Sequence, residues 1–159
     1  MKLLSIIKIY GEIMSYFKWS DSMSVGVTLM DEDHKTIITL INLLHENIHS
    51  KKDTKNISSI INVLVNYTIF HFEREEKIMQ SANYPNLELH QKKHVSLKDE
   101  VRNIAELYDE GQNLDQDKLL TFLKDWLSNH ILKEDMQYRT FCENNEEVTK
   151  LCDTMHALT

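Results

Sequence analysis

Apolar residues from Asp31 onward recur at spacings of three and four, which is typical of amphipathic helices that bury one face. Short polar segments containing turn-forming residues such as Pro85 and Gly111 divide this pattern. We therefore predict four helices, over residues 31–49, 56–80, 87–109 and 115–143. Because short connections join antiparallel neighbours, the predicted fold is all-α, an antiparallel up-down-up-down four-helix bundle.

The predicted buried faces contain ionisable side chains among their Leu and Ile residues. They are His34 on the first helix, His71 and Glu75 on the second, His90 and His94 on the third, and His130 and Asp135 on the fourth. A single histidine in a core usually has an ordinary hydrogen-bond partner. However, an unpaired buried polar group costs about 1 to 3 kcal/mol, against a domain stability of about 5 to 15 kcal/mol. A cluster of seven such groups therefore needs a shared partner, and a metal centre is the simplest one.

Topology brings these side chains to the same place. Alternate helices of an up-down bundle run in opposite directions, so all seven are expected at one end. The pairs on the second and third helices are four residues apart, which puts each pair on one helical face. His130 and Asp135 are five apart, about 140° around a regular helix, so they are expected to reach the cluster from either side of the buried face.

The donor set narrows the choice of metal. Imidazole with a few carboxylates suits iron, zinc, copper or nickel, and the lack of cysteine in the cluster disfavours a structural zinc or an iron-sulfur site. Two six-coordinate metals offer twelve positions. Five histidines, two bridging carboxylates and a bridging oxygen would fill eleven of them, leaving one for a small diatomic ligand.

Four segments resemble bacterial hemerythrins and extend from about Tyr16 to Cys142. They are FKWSDSMSVGVTLMDEDHKTI, HFEREEKIMQ, YPNLELHQKKHVSL and WLSNHILKEDMQY. The resemblance implies a domain over residues 16–143 that holds two iron ions (Fe2+/Fe3+) joined by an oxo or hydroxo group. The implied ligands are His90, His94 and His130 on one iron, His34 and His71 on the other, and Glu75 and Asp135 bridging both.

The function implied by this resemblance is reversible O2 binding for transport, storage or delivery, rather than an enzymatic reaction. Trp126 and Leu127 precede His130 and are candidates for a dry pocket around bound O2, although ordinary core packing explains them equally well. The alternatives are a di-iron enzyme, a protein that handles iron, nitric oxide or peroxide, and an O2-sensing module. Ferritin-like oxidases use carboxylate-rich sites, whereas the nitrogen-rich set here favours binding over oxygen activation.

A second motif suggests a different metal site. Residues 45–49 read HENIH and match the H-E-x-x-H pattern of zinc proteases. His45 and His49 follow His34 by eleven and fifteen residues, which is about 16 to 22 Å along a helix. We therefore expect this pair at the opposite end of the bundle, and we interpret the match as fortuitous.

The overall charge argues against nucleic acid as a partner. The formal net charge is -7, and no Lys/Arg-rich stripe offsets it locally. Cys142 and Cys152 form no C-x-x-C motif, so free thiols in a reducing cytoplasm are expected. We expect a monomer that binds O2 as its ligand.

The two ends of the chain lie outside the resemblance. The apolar run near the N-terminus is interrupted by Lys8 and is too short to span a bilayer. Residues 1–15 are interpreted as an extension, with the hypothesis that translation begins at Met14. Residues 144–159 form a C-terminal tail with no counterpart in the resemblance.

Overall fold

Helices form the framework of the part of the chain that the computed structural model describes, which is residues 15–50, 54–112 and 114–157. The four long helices are α1 (Thr28–His49), α2 (Thr54–Ser81), α3 (Leu87–Asp109) and α4 (Gln116–Asn129). Helix α1 packs against α2 and α4, and α2 also packs against α3. The predicted all-α bundle is confirmed, and the first three helices begin and end within three residues of the predicted positions.

Local chemistry fixes the ends of these helices. Helix α3 ends before Gly111, whose φ of +73° is readily accessible to glycine and reverses the chain in the manner of a helix C-cap. Helix α4 begins where the Asp115 side chain accepts a hydrogen bond from the Lys118 backbone N–H at 3.1 Å. The connections are consequently short, and α1 packs against α2 and α2 against α3 as antiparallel neighbours.

The fourth predicted helix is interrupted, which corrects the expectation of one helix over 115–143. After α4 the chain forms a π-helical turn, His130–Glu134, and then a 3-10 turn, Asp135–Gln137. The backbone N–H of Asp135 donates to the carbonyl of His130, five residues earlier. A π turn accommodates an extra residue relative to an α-helix, so side chains five apart lie on one face.

Two short helices complete the described chain. Helix α5 (Arg139–Cys142) follows the 3-10 turn, and α6 (Glu146–Ala157) packs against α2. Val148 is buried there, and Leu151 and Met155 pack against the core. The predicted tail therefore forms a helix over most of its length.

The N-terminal segment of the described chain is attached to α1. The Phe17 backbone N–H and C=O each make a 2.8 Å hydrogen bond to the side-chain amide of Asn42. The hypothesis about Met14 lies outside the described residues. In the described residues, none of the helices has the length and hydrophobicity needed to span a membrane.

Candidate metal centre

The ionisable side chains singled out in the sequence meet in one cluster at the end of the bundle where α4 gives way to the π turn. None of them is more than 4% exposed. The cluster consists of His34 from α1, His71 and Glu75 from α2, His90 and His94 from α3, and His130 and Asp135 from the π turn and the residue after it. Apolar side chains fill the rest of the core, so the cluster is enclosed by protein.

The π turn explains how residues five apart reach the same point. Asp135 Oδ1 lies 3.1 Å from His130 Nε2, whereas a regular helix would separate their directions by about 140°. The expectation that these two side chains enter from either side of the buried face is therefore wrong. The local change in helix winding places both on one face.

The carboxylate of Glu75 lies between two groups of histidines. Its Oε2 is 3.0 Å from His94 Nε2 and 3.4 Å from His90 Nε2. Its Oε1 lies on the other side, 3.9 Å from His71 Nε2. We call His90, His94 and His130 the three-histidine group, and His34 and His71 the two-histidine group.

Asp135 divides its oxygens between the same two groups. Its Oδ1 is 3.3 Å from His90 Nε2 and 3.1 Å from His130 Nε2. Its Oδ2 is 3.4 Å from His34 Nε2. Each carboxylate therefore presents one oxygen to the three-histidine group and one to the two-histidine group, which is the arrangement needed to bridge two adjacent metal ions.

Many of the cluster's donor and acceptor atoms lack a hydrogen-bond partner among the described residues. These buried atoms are His34 Nδ1 and Nε2, His71 Nε2, Glu75 Oε2, His90 Nε2, and Asp135 Oδ1 and Oδ2. A buried polar atom without a partner costs about 1 to 3 kcal/mol, so leaving all of them unpaired would consume much of the stability of the domain. Imidazole and carboxylate are both ligands of transition metals, so the residues present fit a metal centre.

The comparisons with known proteins identify the family. A model of the hemerythrin HHE cation binding domain matches residues 25–142. The chain belongs to the hemerythrin family. Bacteriohemerythrin from Pseudomonas paraeruginosa is 34% identical over 125 residues, covering 79% of this chain and 80% of the relative. A hemerythrin-like protein from Naegleria gruberi is 30% identical over 127 residues, covering 80% of this chain and 94% of that protein.

A solved hemerythrin has the same architecture. The crystal structure of a wild-type hemerythrin superposes with a TM-score of 0.75 at 28% identity, covering 82% of this chain and all of the other. The family match ends at residue 142, so helix α6 lies beyond it. The chain therefore has a C-terminal helix outside the part that the family model matches.

Two carboxylates that contact the rings of cluster histidines were not identified as part of the centre from sequence. Glu76 accepts a 2.8 Å hydrogen bond from His94 Nδ1, whereas Glu73, on the other side of Glu75 in sequence, is exposed. Asp33 lies 3.4 Å from His71 Nδ1 and was missed. It lies three residues after Met30 and four before Ile37, which is the spacing of the buried face of α1, so helical periodicity could have singled it out.

Tyr138 contacts the cluster through its hydroxyl group. The hydroxyl donates a 2.6 Å hydrogen bond to Glu75 Oε1, and both side chains are fully buried. Burial and the negative charges of Glu75 and Asp135 raise the pKa of Tyr138 well above its usual value. The phenol is therefore protonated at neutral pH and acts as a fixed donor to Glu75.

Several side chains of the cluster have strongly perturbed pKa values, among them Glu75, Asp135, His90 and His130. Burial alone would raise the pKa of Glu75, but its close contacts with His90 and His94 hold it well below its usual value. Burial likewise would lower the pKa of His90, but its contacts with Asp135 and Glu75 raise it to about 9. Burial lowers the pKa of His130 to about 4. The carboxylates are therefore ionised at neutral pH, and a metal would compete with protons for His90 but not for His130.

Aromatic side chains pack against the three-histidine group. Phe72 stacks on His94 with a centroid separation of 3.8 Å and an interplanar angle of 10°. Trp126 lies nearly parallel to His130 at 6.4 Å and, with it, lines a surface cavity of about 290 Å³. Leu127 is 1% exposed. Trp126 and Leu127 are thus buried at the end of α4, and their contribution to an O2 pocket stays a prediction.

The HENIH motif lies away from this cluster. The His49 side chain is 52% exposed, and its Nε2 is 3.7 Å from Asp117 Oδ1 near the start of α4, whereas the cluster lies beyond the other end of that helix. Within the described part of the chain, the residue groups with metal-ligand spacing all belong to the buried cluster. His45 stacks on Tyr16 at 4.6 Å and on His49 at 4.2 Å, which gives the pair a packing role.

Proposed function

We propose that this hemerythrin binds O2 reversibly at a centre of two iron ions joined by an oxo or hydroxo bridge. The observation that carries the proposal is the division of the Glu75 and Asp135 oxygens between the two histidine groups. Two carboxylates that each face both groups suit a pair of metals, whereas a single ion would leave part of the cluster without a partner.

The proposed ligand sets follow from these contacts. The three-histidine group would hold one iron, the two-histidine group would hold the other, and Glu75 and Asp135 would bridge them. When bound, such a pair of irons supplies two electrons and a free coordination position for O2. The two-histidine group supplies one imidazole ligand fewer than the three-histidine group, so the free coordination position for O2 is assigned to the iron on that side.

The surrounding protein supports binding in preference to catalysis. His94 and His71 each have a carboxylate beside Nδ1, so each presents Nε2 to the cluster in one fixed tautomer. Tyr138 holds Glu75 from outside the cluster, and its raised pKa disfavours proton loss. We therefore propose an O2-binding protein for transport, storage or delivery. A di-iron enzyme, a protein handling iron, nitric oxide or peroxide, and an O2-sensing module are the alternatives.

The test is an oxygen titration of anaerobically purified protein. Iron per chain is measured first, and visible spectra are then recorded as O2 is admitted and removed over several cycles. We expect two irons per chain and an absorption band that appears with O2 and disappears without it. Irreversible oxidation with product formation would favour the enzymatic alternative, and the absence of any O2-dependent band would contradict O2 binding.

The cellular setting is also a proposal. Cys142 and Cys152 are free thiols, which suits a reducing compartment such as the cytoplasm. The net negative charge disfavours nucleic acid as a partner. We propose a monomer, which sedimentation equilibrium would test.

A further inference from the structure

We infer that Asp33 is a positioning residue for the two-histidine group: it fixes the ring of His71, and Arg74 and Tyr67 hold Asp33 in place. The inference rests on the proposed di-iron function, because it concerns the side chains around one of the two proposed irons. It assigns roles to three residues that lie outside the proposed ligand set.

The contact between Asp33 and His71 is fully enclosed. Asp33 Oδ2 lies 3.4 Å from His71 Nδ1, and the side chains are 3% and 0% exposed. With Nδ1–H directed at a carboxylate, the lone pair of the neutral ring is on Nε2, which faces Glu75 Oε1. Asp33 thereby selects the tautomer and the rotation of the ring that a metal on this side requires.

A buried carboxylate needs compensation of its own, and the structure provides two donors. Arg74 Nη1 lies 3.0 Å from Asp33 Oδ1, and the Tyr67 hydroxyl donates to the same oxygen at 2.8 Å. Arg74 also stacks over the Phe70 ring, with its guanidinium carbon 4.9 Å from the centroid. These contacts occupy Oδ1 and direct Oδ2 to His71.

The two histidine groups are supported in different ways. In the three-histidine group, His94 Nδ1 lies 2.8 Å from Glu76, a half-buried carboxylate. In the two-histidine group, the corresponding acceptor is Asp33, which is buried and neutralised by an arginine. Each proposed iron therefore has one carboxylate-supported histidine, and the two supports can be removed independently.

The experiment compares iron release and imidazole N–H signals in the iron-loaded protein and its variants. An iron chelator is added anaerobically to the wild type, Asp33→Ala and Tyr67→Phe, with Glu76→Ala as the matched variant in the other histidine group. Loss of such an indirect support typically weakens metal binding by about 10- to 100-fold. We expect Asp33→Ala to release one of its two irons about 10- to 100-fold faster, and Tyr67→Phe to shift release in the same direction by less.

Proton NMR of the paramagnetic iron-loaded protein distinguishes positioning from general destabilisation. Asp33→Ala should abolish or shift one exchangeable imidazole N–H resonance, and Glu76→Ala should affect a different one. If Asp33→Ala leaves a buried, unpaired Arg74 and does not fold, Asp33→Ala combined with Arg74→Met removes the ion pair as a unit. The double variant carries the same expectations.

The outcomes separate the inference from the proposed function. A wild type with fewer than two irons per chain contradicts the proposed function itself. If the wild type holds two irons, two results would overturn the inference alone. In the first, the Asp33 variants release iron at the wild-type rate and keep their N–H resonances. In the second, they lose both irons equally and have a lower melting temperature. Selective loss of one iron and one resonance supports it.

Discussion

Replacing Leu127 with alanine tests whether the apolar wall beside the cluster protects the proposed iron centre. Leu127 is 1% exposed and lies three residues before His130. Large-to-small substitutions at such buried leucines cost about 2 to 5 kcal/mol. For a chain of this size each kcal/mol lowers the melting temperature by about 2 to 4 °C, so we expect a decrease of roughly 4 to 20 °C.

Leu127→Ala should also have a functional effect that is distinct from its effect on stability. The isopropyl group removed is larger than the roughly 30 Å³ share of one water molecule. An apolar cavity in a core stays dry, but this one would border polar side chains that give water hydrogen-bond partners. We expect oxidation of the O2-loaded protein to the inactive ferric form to accelerate about tenfold, equivalent to about 1.4 kcal/mol in barrier height. The decay of the O2-dependent absorption band measures this rate.

Leu123→Ala is the matched control for this prediction. Leu123 is 2% exposed and lies one helical turn farther from the cluster on α4. It should lower the melting temperature by a similar amount while leaving the oxidation rate within about twofold of wild type. Equal oxidation rates in Leu127→Ala and the wild type would refute the protective role of Leu127. Equal acceleration in Leu127→Ala and Leu123→Ala would mean that general loosening of the core causes the faster oxidation.

Three further predictions concern Tyr138, the two cysteines and the HENIH motif. Tyr138→Phe removes a 2.6 Å hydrogen bond to a buried carboxylate and should cost about 1.5 to 3 kcal/mol in denaturant unfolding. Tyr108→Phe, which loses a 2.9 Å bond to a neutral amide, should cost less than about 1.5 kcal/mol, and equal losses would contradict this assignment. Burial and nearby negative charge raise the pKa of Cys142 to about 12, so iodoacetamide at pH 8 should alkylate the half-buried Cys152 first, as peptide mass spectrometry would show. His49→Ala should leave the iron content unchanged, and a loss of iron by elemental analysis would revive the HENIH motif as a metal site.

The sequence predicted the helices and the convergence of the candidate ligands for one physical reason. Helical periodicity shows which residues share a buried face, and polar groups at those positions require partners. His34, His71 and His94 could therefore be singled out one helix at a time. The up-down topology then placed them at one end of the bundle without any knowledge of loop geometry.

The features that the sequence did not predict depend on local winding and on contacts between helices. The π turn at His130–Glu134 leaves no signature in hydrophobic spacing, so a regular helix gave the wrong direction for Asp135. Asp33 falls on the apolar spacing of α1, but its partners depend on the packing of α1 against α2, which brings it to His71 and Arg74. Such contacts join residues 38 or more positions apart, and no pattern along one helix encodes them.

The central claim is that one buried cluster holds two bridged irons. X-ray absorption at the iron edge of the anaerobically purified, iron-quantified protein tests it most directly, because it detects a second metal near the first. The claim predicts two irons per chain and an iron–iron distance below about 4 Å, as in other two-metal sites. One iron per chain, or two irons without iron–iron scattering, would contradict it.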